Sequence, residues 1–257
     1  MELTVGSYNL EYGGIDNGGI SRLKRQLGML ADVNADVWAL QECSNWRADG
    51  GRIVYLAEEL LGMRGFMAHS ARHPGGDLGV FIRESSGIRV IETRHEEKPP
   101  YWHGVALVVT EVGGFGPLRF ASAHLAPSAP SLRAVEAEAF QLIADKPVPL
   151  IAGGDWNAFP PDGPEPDVTG IHPGKARRKA DTRAAEALAE YMTDVGRLLG
   201  VTTATVGHRR DDLLAYQADR LYSTLPPESF TRFEVIQEDN PESDHRPVIG
   251  TFTLGTN

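Results

Sequence analysis

The sequence predicts an α+β fold in which two sheets pack face to face with helices outside them. Strand-like and helix-like segments occur in both halves of the chain, as expected when each sheet carries its own helices. The middle of the chain is rich in short strands separated by Gly- and Pro-containing turns, such as the turn at 113–117. In the 257 residues no stretch is typical of a hinge between two cores, so we expect one domain over residues 1–257.

Helices are predicted where apolar residues recur every three or four positions. In the first of them the apolar positions are Ile20, Leu23, Leu27, Leu30 and Val33. The last is rich in Ala, Glu and Leu, which favour helix. The predicted helices cover residues 20–33, 53–61, 132–144 and 182–199.

Strands are predicted where short apolar or alternating runs are bounded by turn residues. The first begins almost at the start of the chain, and the last ends close to residue 257. The predicted strands cover residues 3–9, 36–41, 65–68, 78–83, 88–92, 105–111, 118–123, 148–152, 218–223, 230–237 and 247–254.

The composition is that of a globular protein with an acidic surface. Hydrophobic residues make up 41% and charged residues 23% of the chain, which is enough apolar material for a core. The net charge is −10, from 25 basic and 35 acidic residues, so the surface as a whole repels nucleic acid at long range. No apolar run approaches the roughly 20 residues that cross a bilayer, and we expect no membrane span.

One basic segment interrupts this acidic chain. Residues 172–179 read His-Pro-Gly-Lys-Ala-Arg-Arg-Lys, and Arg183 follows them. Two interpretations are open: a phosphate-binding arm, or a solvated loop that runs into the first turn of a helix.

The cysteine content and the first residues bear on location. Cys43 is the single cysteine, and no charged and apolar leader precedes the first strand. Both features predict a reducing, cytoplasmic location. Cys43 follows Glu42, but we expect it to be a buried small hydrophobic side chain and not a reactive thiol.

Polar side chains suited to a cation or a phosphate lie at the ends of the predicted strands. Asn9, Glu42 and Asp155 come at or after a strand end, while Asp244 and His245 precede the last strand. Such oxygen-rich sets suit Mg²⁺, which takes carboxylates, water and substrate phosphate oxygens. Zinc fits poorly, because the sequence has neither a Cys-x-x-Cys pair nor a His-Glu-x-x-His helix. Each residue alone also has an ordinary interpretation as a turn or capping residue.

Taken in order, these polar segments resemble the endonuclease/exonuclease/phosphatase superfamily, which has the DNase I-like fold. The matching segments are Ser7-Tyr8-Asn9-Leu10, Leu40-Gln41-Glu42, Ser122-Ala123-His124-Leu125, Gly153-Gly154-Asp155-Trp156-Asn157-Ala158, Asp219-Arg220-Leu221-Tyr222 and Ser243-Asp244-His245-Arg246-Pro247-Val248. The resemblance implies a four-layer α/β/β/α sandwich of two mainly antiparallel sheets, with the site at one end between the sheets.

The resemblance also implies which residues hold the metal and the phosphate. Glu42 is expected to bind the catalytic Mg²⁺, with Mn²⁺ as a substitute, and Asn9 and Asp244 are expected in or near its shell. Asp155 and Asn157 are expected to orient the attacking water and hold the phosphate.

The remaining roles implied by the resemblance belong to two imidazoles. His245 contacts the scissile phosphate or acts as general base, and Asp219 fixes its tautomer and raises its basicity. His124 donates a hydrogen bond to a phosphate oxygen or protonates the leaving group. Apart from the resemblance, Asp77, in the loop before the strand at 78–83, is a candidate carboxylate partner for His124.

The predicted function is a metal-dependent phosphoesterase that cleaves phosphodiester or phosphomonoester bonds by in-line attack of an activated water. Its substrate is a nucleic acid or a small phosphorylated molecule. The anionic phosphate repels a nucleophile, and a cation with two imidazoles offsets that repulsion. The alternative is a binding or scaffold protein that keeps the fold without turnover. Trp156 either lines the mouth of the site or lies in the interior, which is the expected place for a bulky aromatic.

Overall fold

Two six-stranded sheets face each other in the computed structural model, which describes residues 1–70, 75–209 and 214–255. The strands are β1 (Glu2–Asn9), β2 (Val37–Gln41), β3 (Met63–Ala68), β4 (Leu78–Arg83), β5 (Ile88–Thr93), β6 (Val105–Val112), β7 (Gly116–His124), β8 (Leu150–Asp155), β9 (Thr193–Asp194), β10 (Asp219–Ser223), β11 (Phe230–Val235) and β12 (Val248–Thr253). The first sheet has the order β11-β12-β1-β2-β4-β3, and the second has the order β5-β6-β7-β8-β10-β9. One neighbouring pair in each sheet is parallel, β1 with β2 and β7 with β8.

The chain also forms helices between its strands. They are α1 (Ser21–Val33), α2 (Arg52–Leu61), α3 (Pro130–Ala144), α4 (Pro173–Lys179), α5 (Arg183–Ala189) and α6 (Val195–Leu198). The first sheet packs against α1 and α2 through a buried cluster that includes Leu27 and Trp38. The second sheet packs against α3 and α5 through a cluster that includes Phe140 and Leu188. The predicted four-layer sandwich of two mainly antiparallel sheets is therefore confirmed.

The layer between the two sheets changes from apolar to polar along the strands. Because side chains alternate between the two faces of a strand, every second residue points toward the other sheet. These inward positions, in chain order, are Leu3, Val5, Ser7 and Asn9 in β1, Phe120, Ser122 and His124 in β7, and Ile151, Gly153 and Asp155 in β8. The apolar end forms the central core, and the polar end opens into the site described below.

Gly153 allows the sheets to approach closely where the polar layer begins. A Cβ atom added at this glycine would lie 2.8 Å from Ser7 Cβ and 2.9 Å from Ala39 Cβ, both on the facing sheet. Only a residue without a side chain fits this contact.

Gly153→Ala is expected to lower the free energy of unfolding by about 1–3 kcal/mol, because overpacking pushes the two sheets apart. Thermal unfolding followed by circular dichroism measures the effect. Gly28→Ala is the matched control: it lies on the exposed face of α1, where an added Cβ meets nothing within 4 Å, and it should be neutral or stabilising. An unchanged melting temperature in Gly153→Ala would contradict the close contact.

The helix predicted over 182–199 is wrong, because the segment forms two short helices, α5 and α6, separated by β9. Thr193 and Asp194 pair with β10 at the edge of the second sheet. The Asp194 carboxylate also caps α6 by accepting a hydrogen bond from Arg197 N at 3.1 Å. A sheet edge and a capping residue thus override the helical propensity of the segment.

Two other segments that carry site residues differ from what the sequence predicts. The strand expected over 148–152 is Leu150–Asp155, so Asp155 itself belongs to the sheet. Most of the basic segment 172–179 forms the helix α4, so it is not the solvated loop of one interpretation, and its last residue, Lys179, reaches the site described below. Within the described ranges, no helix is long and apolar enough to cross a membrane.

Candidate active site

The two parallel strand pairs bring the predicted site residues to one end of the sandwich. In the second sheet, His124 pairs with Asp155, and Asp155 pairs with Asp219 on its other side. In the first sheet, β1 ends at Asn9 beside the end of β2, after which Glu42 follows. The structure brings together the residues predicted as catalytic or metal-binding: Asn9, Glu42, His124, Asp155, Asn157, Asp219, Asp244 and His245. Most of them, with Tyr12 and His103, line a cavity of about 330 Å³ that we call the catalytic cleft.

One oxygen atom, Asp155 Oδ2, lies at the centre of this group. Asn9 Nδ2 donates to it at 3.1 Å, and His124 Nε2 and His245 Nε2 lie 3.3 and 3.6 Å away. Asp155 Oδ1 accepts a hydrogen bond from Asn157 N at 3.1 Å. Burial would raise the pKa of Asp155, but the charges of His245, His124 and Lys179 outweigh it and hold the pKa below its ordinary value. Asp155 is therefore a carboxylate surrounded by donors that converge from both sheets.

His245 lies between two buried carboxylates. Its Nδ1 atom is 2.8 Å from Asp219 Oδ2, and its Nε2 atom faces Asp155. Burial alone would lower the pKa of His245, but the charges of Asp219 and Asp155 and the hydrogen bond with Asp219 raise it to about 10. The imidazole is thus protonated at neutral pH and carries a donor toward the cleft.

Glu42 approaches the same centre from the first sheet. Its Oε1 atom accepts a hydrogen bond from Asn9 Nδ2 at 3.2 Å, and its Oε2 atom accepts one from Tyr12 N at 2.9 Å. The backbone of Glu42 is left-handed, with φ of 55°, and Asn157 has φ of 50°. Non-glycine residues adopt this conformation at a cost, and such strain concentrates at functional sites. The chain bends sharply after β2 and after β8, which turns both side chains into the cleft.

Lys179, at the end of α4, completes the site and was not predicted to belong to it. Its ammonium group donates to Asn157 Oδ1 at 2.8 Å. Burial lowers the pKa of Lys179, and the charge of Asp155 partly offsets this. The sequence shows a run of basic residues but not which of them turns inward, so Lys179 could have been found only as a member of that run.

The neighbours of His124 differ from those expected. Asp77 does not pair with it, because the Asp77 carboxylate lies 3.1 Å from His69 Nδ1 and accepts from Ser70 N. The carboxylate next to His124 is Asp155. His124 also stacks on His103, with ring centroids 4.1 Å apart and an interplanar angle of 11°.

Glu136 of α3 fixes the two loops that carry these stacked rings. Its oxygens accept hydrogen bonds from Trp102 N at 2.5 Å and from Ala126 N at 2.7 Å. Burial raises the pKa of Glu136 to about 7, although both hydrogen bonds oppose the shift. Glu136 therefore holds the backbone of the loops that carry His103 and His124, and no polar motif in the sequence pointed to it.

The aromatic and thiol side chains near the motifs are structural. Trp156 is fully buried, donates from Nε1 to Arg220 O at 3.1 Å, and contacts Phe140 edge-on. The interior position predicted for Trp156 is thus confirmed. Cys43 is also buried, as predicted, and burial raises the pKa of its thiol.

Two sets of side chains in the described ranges have the chemistry to hold a cation. Asp155, Asp219 and His245 have candidate ligand atoms within 4.8 Å of one another. In this set, however, His245 Nδ1 is 2.8 Å from Asp219 Oδ2, so these two groups are already bonded to each other. Glu42 and Asp244 instead offer carboxylates that face the catalytic cleft. Their hard oxygen donors fit Mg²⁺.

A sandwich of two such sheets, with carboxylates, amides and imidazoles gathered at one end, is the architecture of the DNase I-like phosphoesterases. The chain belongs to the Endonuclease/Exonuclease/phosphatase family, whose sequence model matches residues 6–245. A search of curated proteins gives no match.

Solved structures of this family share the fold. A complex of Danio rerio TDP2 with a single-stranded DNA product is 18% identical, with a TM-score of 0.69 over 98% of this chain and 99% of that one. An endonuclease/exonuclease/phosphatase family protein from Bacteroides thetaiotaomicron is 17% identical, with a TM-score of 0.66 over 99% of each chain. A mannosyl-6-phosphatase from the same species is 16% identical, with a TM-score of 0.65 over 96% and 98% of the two chains. Likeness at this level of identity concerns the fold.

Proposed function

We propose that the protein is a Mg²⁺-dependent phosphoesterase in which the residues around Asp155 hold the phosphate and direct a water molecule onto phosphorus. One observation carries the proposal: donors from both sheets converge on a single carboxylate oxygen, beside a second carboxylate, Glu42. Donors arranged to receive one anionic oxygen can receive the oxygens of a phosphate in the same cleft.

The charge states divide the roles among the side chains. Because the pKa of His245 is about 10, its imidazolium donates to a phosphate oxygen and is not available as a general base at neutral pH. Asp155, whose pKa lies below its ordinary value, accepts the proton of the attacking water. His124 faces the cleft and donates to the phosphate or to the departing oxygen. Lys179 adds a positive charge to this donor set.

Glu42, Asn9 and Asp244 are proposed to hold the cation. Glu42 and Asp244 present carboxylate oxygens to the cleft, and Asn9 holds Glu42 in place through its amide. A Mg²⁺ held by these residues would supply positive charge to the phosphate and would polarise the P–O bond. Aspartate and glutamate oxygens are also ligands for Mn²⁺, so we expect either ion to support activity.

Two classes of substrate are compatible with this site. Among the similar structures, one is a TDP2 complex with a single-stranded DNA product and another is a mannosyl-6-phosphatase. We propose that this chain likewise acts on nucleic acid or on a small phosphorylated molecule. The cytoplasmic location and the single-domain organisation remain predictions from the sequence.

A panel of phosphoesters tests the function directly. The substrates are single- and double-stranded DNA, RNA, bis-p-nitrophenyl phosphate, nucleotides and sugar phosphates, each assayed with Mg²⁺ and with Mn²⁺. Hydrolysis of at least one substrate at a rate that falls in Glu42→Ala and His245→Ala supports the proposal. Binding of a phosphoester without any turnover across the panel would favour the scaffold alternative.

Removal of divalent cations is expected to abolish hydrolysis. EDTA should reduce the rate to background, and excess Mg²⁺ or Mn²⁺ should restore it, because the proposed ligands are hard oxygen donors. The measurement is the rate on the best substrate of the panel before and after dialysis. A rate that EDTA does not change would contradict the proposed metal dependence. Ca²⁺ is added as a control ion for non-specific effects of divalent charge.

A further inference from the structure

Tyr12 is an exposed aromatic residue at the mouth of the catalytic cleft. The residue is 69% exposed, yet it lines the cleft together with Glu42 and His124. The ring contributes little to the core, because the buried clusters of the described residues do not include it. Packing in the core therefore does not explain why an aromatic side chain lies at the mouth of the cleft.

The backbone under this ring is held in an unusual conformation. Glu11, Tyr12, Gly13 and Gly14 have φ values of 51°, 54°, 69° and 71°, so the chain makes a left-handed turn. Left-handed conformations are disfavoured for the first two residues, which carry a Cβ. A substitution of Gly14 would bring its Cβ to 2.3 Å from Gln26 Oε1, so the turn is packed as well as strained.

Hydrogen bonds fix the turn at each step. Asn9 Oδ1 accepts from Glu11 N at 3.1 Å, Glu42 Oε2 accepts from Tyr12 N at 2.9 Å, and Gly13 O accepts from Trp46 Nε1 at 2.9 Å. Two of these acceptors are site residues. The turn is therefore bonded directly to Asn9 and Glu42, and Tyr12 lies at the cleft proposed to hold the phosphate.

We propose that Tyr12 is a specificity-determining residue that stacks on a planar ring of the substrate, such as a nucleobase, carried next to the scissile phosphate. The inference rests on the proposed function and narrows it to ring-bearing phosphodiesters. Every base has a flat face that stacks on an aromatic side chain, and such contacts contribute affinity without selecting a sequence. A ring whose backbone is already fixed loses little conformational freedom on binding, which favours the contact.

The test compares wild-type protein with Tyr12→Asn, assayed with Mg²⁺ on thymidine 5′-(p-nitrophenyl phosphate) and on methyl p-nitrophenyl phosphate. Asparagine tolerates a left-handed backbone, so this variant removes the ring and keeps the backbone donor to Glu42. The expected result is a rise in KM for the thymidine ester of at least about fivefold with little change in kcat, which marks loss of a binding contact. A similar rise for the methyl ester would place the stacked ring on the leaving group, and no rise there would place it on the base.

Two further variants serve as controls. Tyr12→Phe keeps the ring and should restore the wild-type KM, because stacking does not need the hydroxyl. Tyr55→Ala removes a tyrosine that is 67% exposed on α2 and lines a different surface pocket, and it should not alter either parameter. An unchanged KM in Tyr12→Asn, an equal fall in kcat on both esters, or a Tyr12→Phe variant that behaves like Tyr12→Asn would each overturn the proposal.

Binding of thymidine 5′-monophosphate by calorimetry separates this inference from the proposed function. It needs no turnover, and Tyr12→Asn should weaken it by about the same factor. If wild-type protein hydrolyses neither ester but binds the nucleotide through Tyr12, the phosphoesterase function fails and the ring contact stands. If wild-type protein hydrolyses the thymidine ester, and Tyr12→Asn changes neither the KM values nor the binding of the nucleotide, the ring contact fails alone.

Discussion

Glu42→Ala is expected to lower turnover of a phosphoester at least about a hundredfold while leaving the fold intact. Its carboxylate accepts hydrogen bonds from Asn9 Nδ2 and Tyr12 N and faces the catalytic cleft. The substitution removes the carboxylate proposed to hold Mg²⁺. Steady-state rates at saturating Mg²⁺ measure the loss, and circular dichroism with a thermal melt checks the fold.

Glu42→Gln separates the charge of this side chain from its shape. The amide keeps most of the volume but binds a hard cation more weakly, so we expect a large loss of turnover and a higher Mg²⁺ concentration for half-maximal rate. Glu58→Gln is the matched control, because Glu58 is a half-buried carboxylate on α2 that accepts a hydrogen bond from Gly65 N at 2.9 Å, away from the cleft. Near-wild-type turnover in Glu42→Ala would refute the assignment.

The fold was predictable because its elements are defined by local patterns. The apolar period of α1 and the alternation in β1 each place one face in a core, and both lie close to their predicted bounds. The segment 182–199 was not predictable in the same way. Its local sequence favours helix, and what interrupts it is the pairing of Thr193 and Asp194 with a strand that lies far along the chain.

The gathering of the site residues was predictable for a topological reason. Asn9 and Asp155 end strands that each take part in a parallel pair, and the hydrogen bond from Asn9 Nδ2 to Asp155 Oδ2 shows that these strand ends meet between the two sheets. The inward positions of those strands continue the alternation that builds the core. Motifs that mark strand ends therefore also mark the site, as for His124 and Asp219.

Residues that reach the site from outside the strands were missed. Lys179 depends on the direction in which α4 leaves its loop, and Glu136 acts from the buried side of α3 on two backbone N–H groups. Neither depends on a local sequence pattern. Tyr12 depends on four successive left-handed residues, of which only the two glycines are visible in the sequence as a turn signal. Long-range contacts and backbone strain set these positions.

His245→Ala is expected to cost at least about a hundredfold in turnover, because the variant loses the cationic donor that faces Asp155 and the cleft. Activity in the wild type should persist through neutral pH and fall as pH rises through about 10, where His245 loses its proton. On the acid side, activity should fall only below the ordinary range of an aspartate, because the pKa of Asp155 is lowered. A pH–rate profile of kcat/KM measures both limits.

Asp219→Asn tests the physical cause of this profile. Burial lowers the pKa of His245. The negative charge of Asp219 and its 2.8 Å hydrogen bond with His245 Nδ1 are main causes that raise this pKa instead. With a neutral amide there, the pKa should fall toward or below the value of about 6.5 found for a free histidine. The basic limb of the profile should move down by at least about two pH units, and the variant should retain more activity at pH 6 than at pH 8. Asp77→Asn, which alters the Asp77–His69 pair outside the cleft, should leave the profile in place. A basic limb that does not move in Asp219→Asn would show that a protonated His245 is not the donor on which turnover depends.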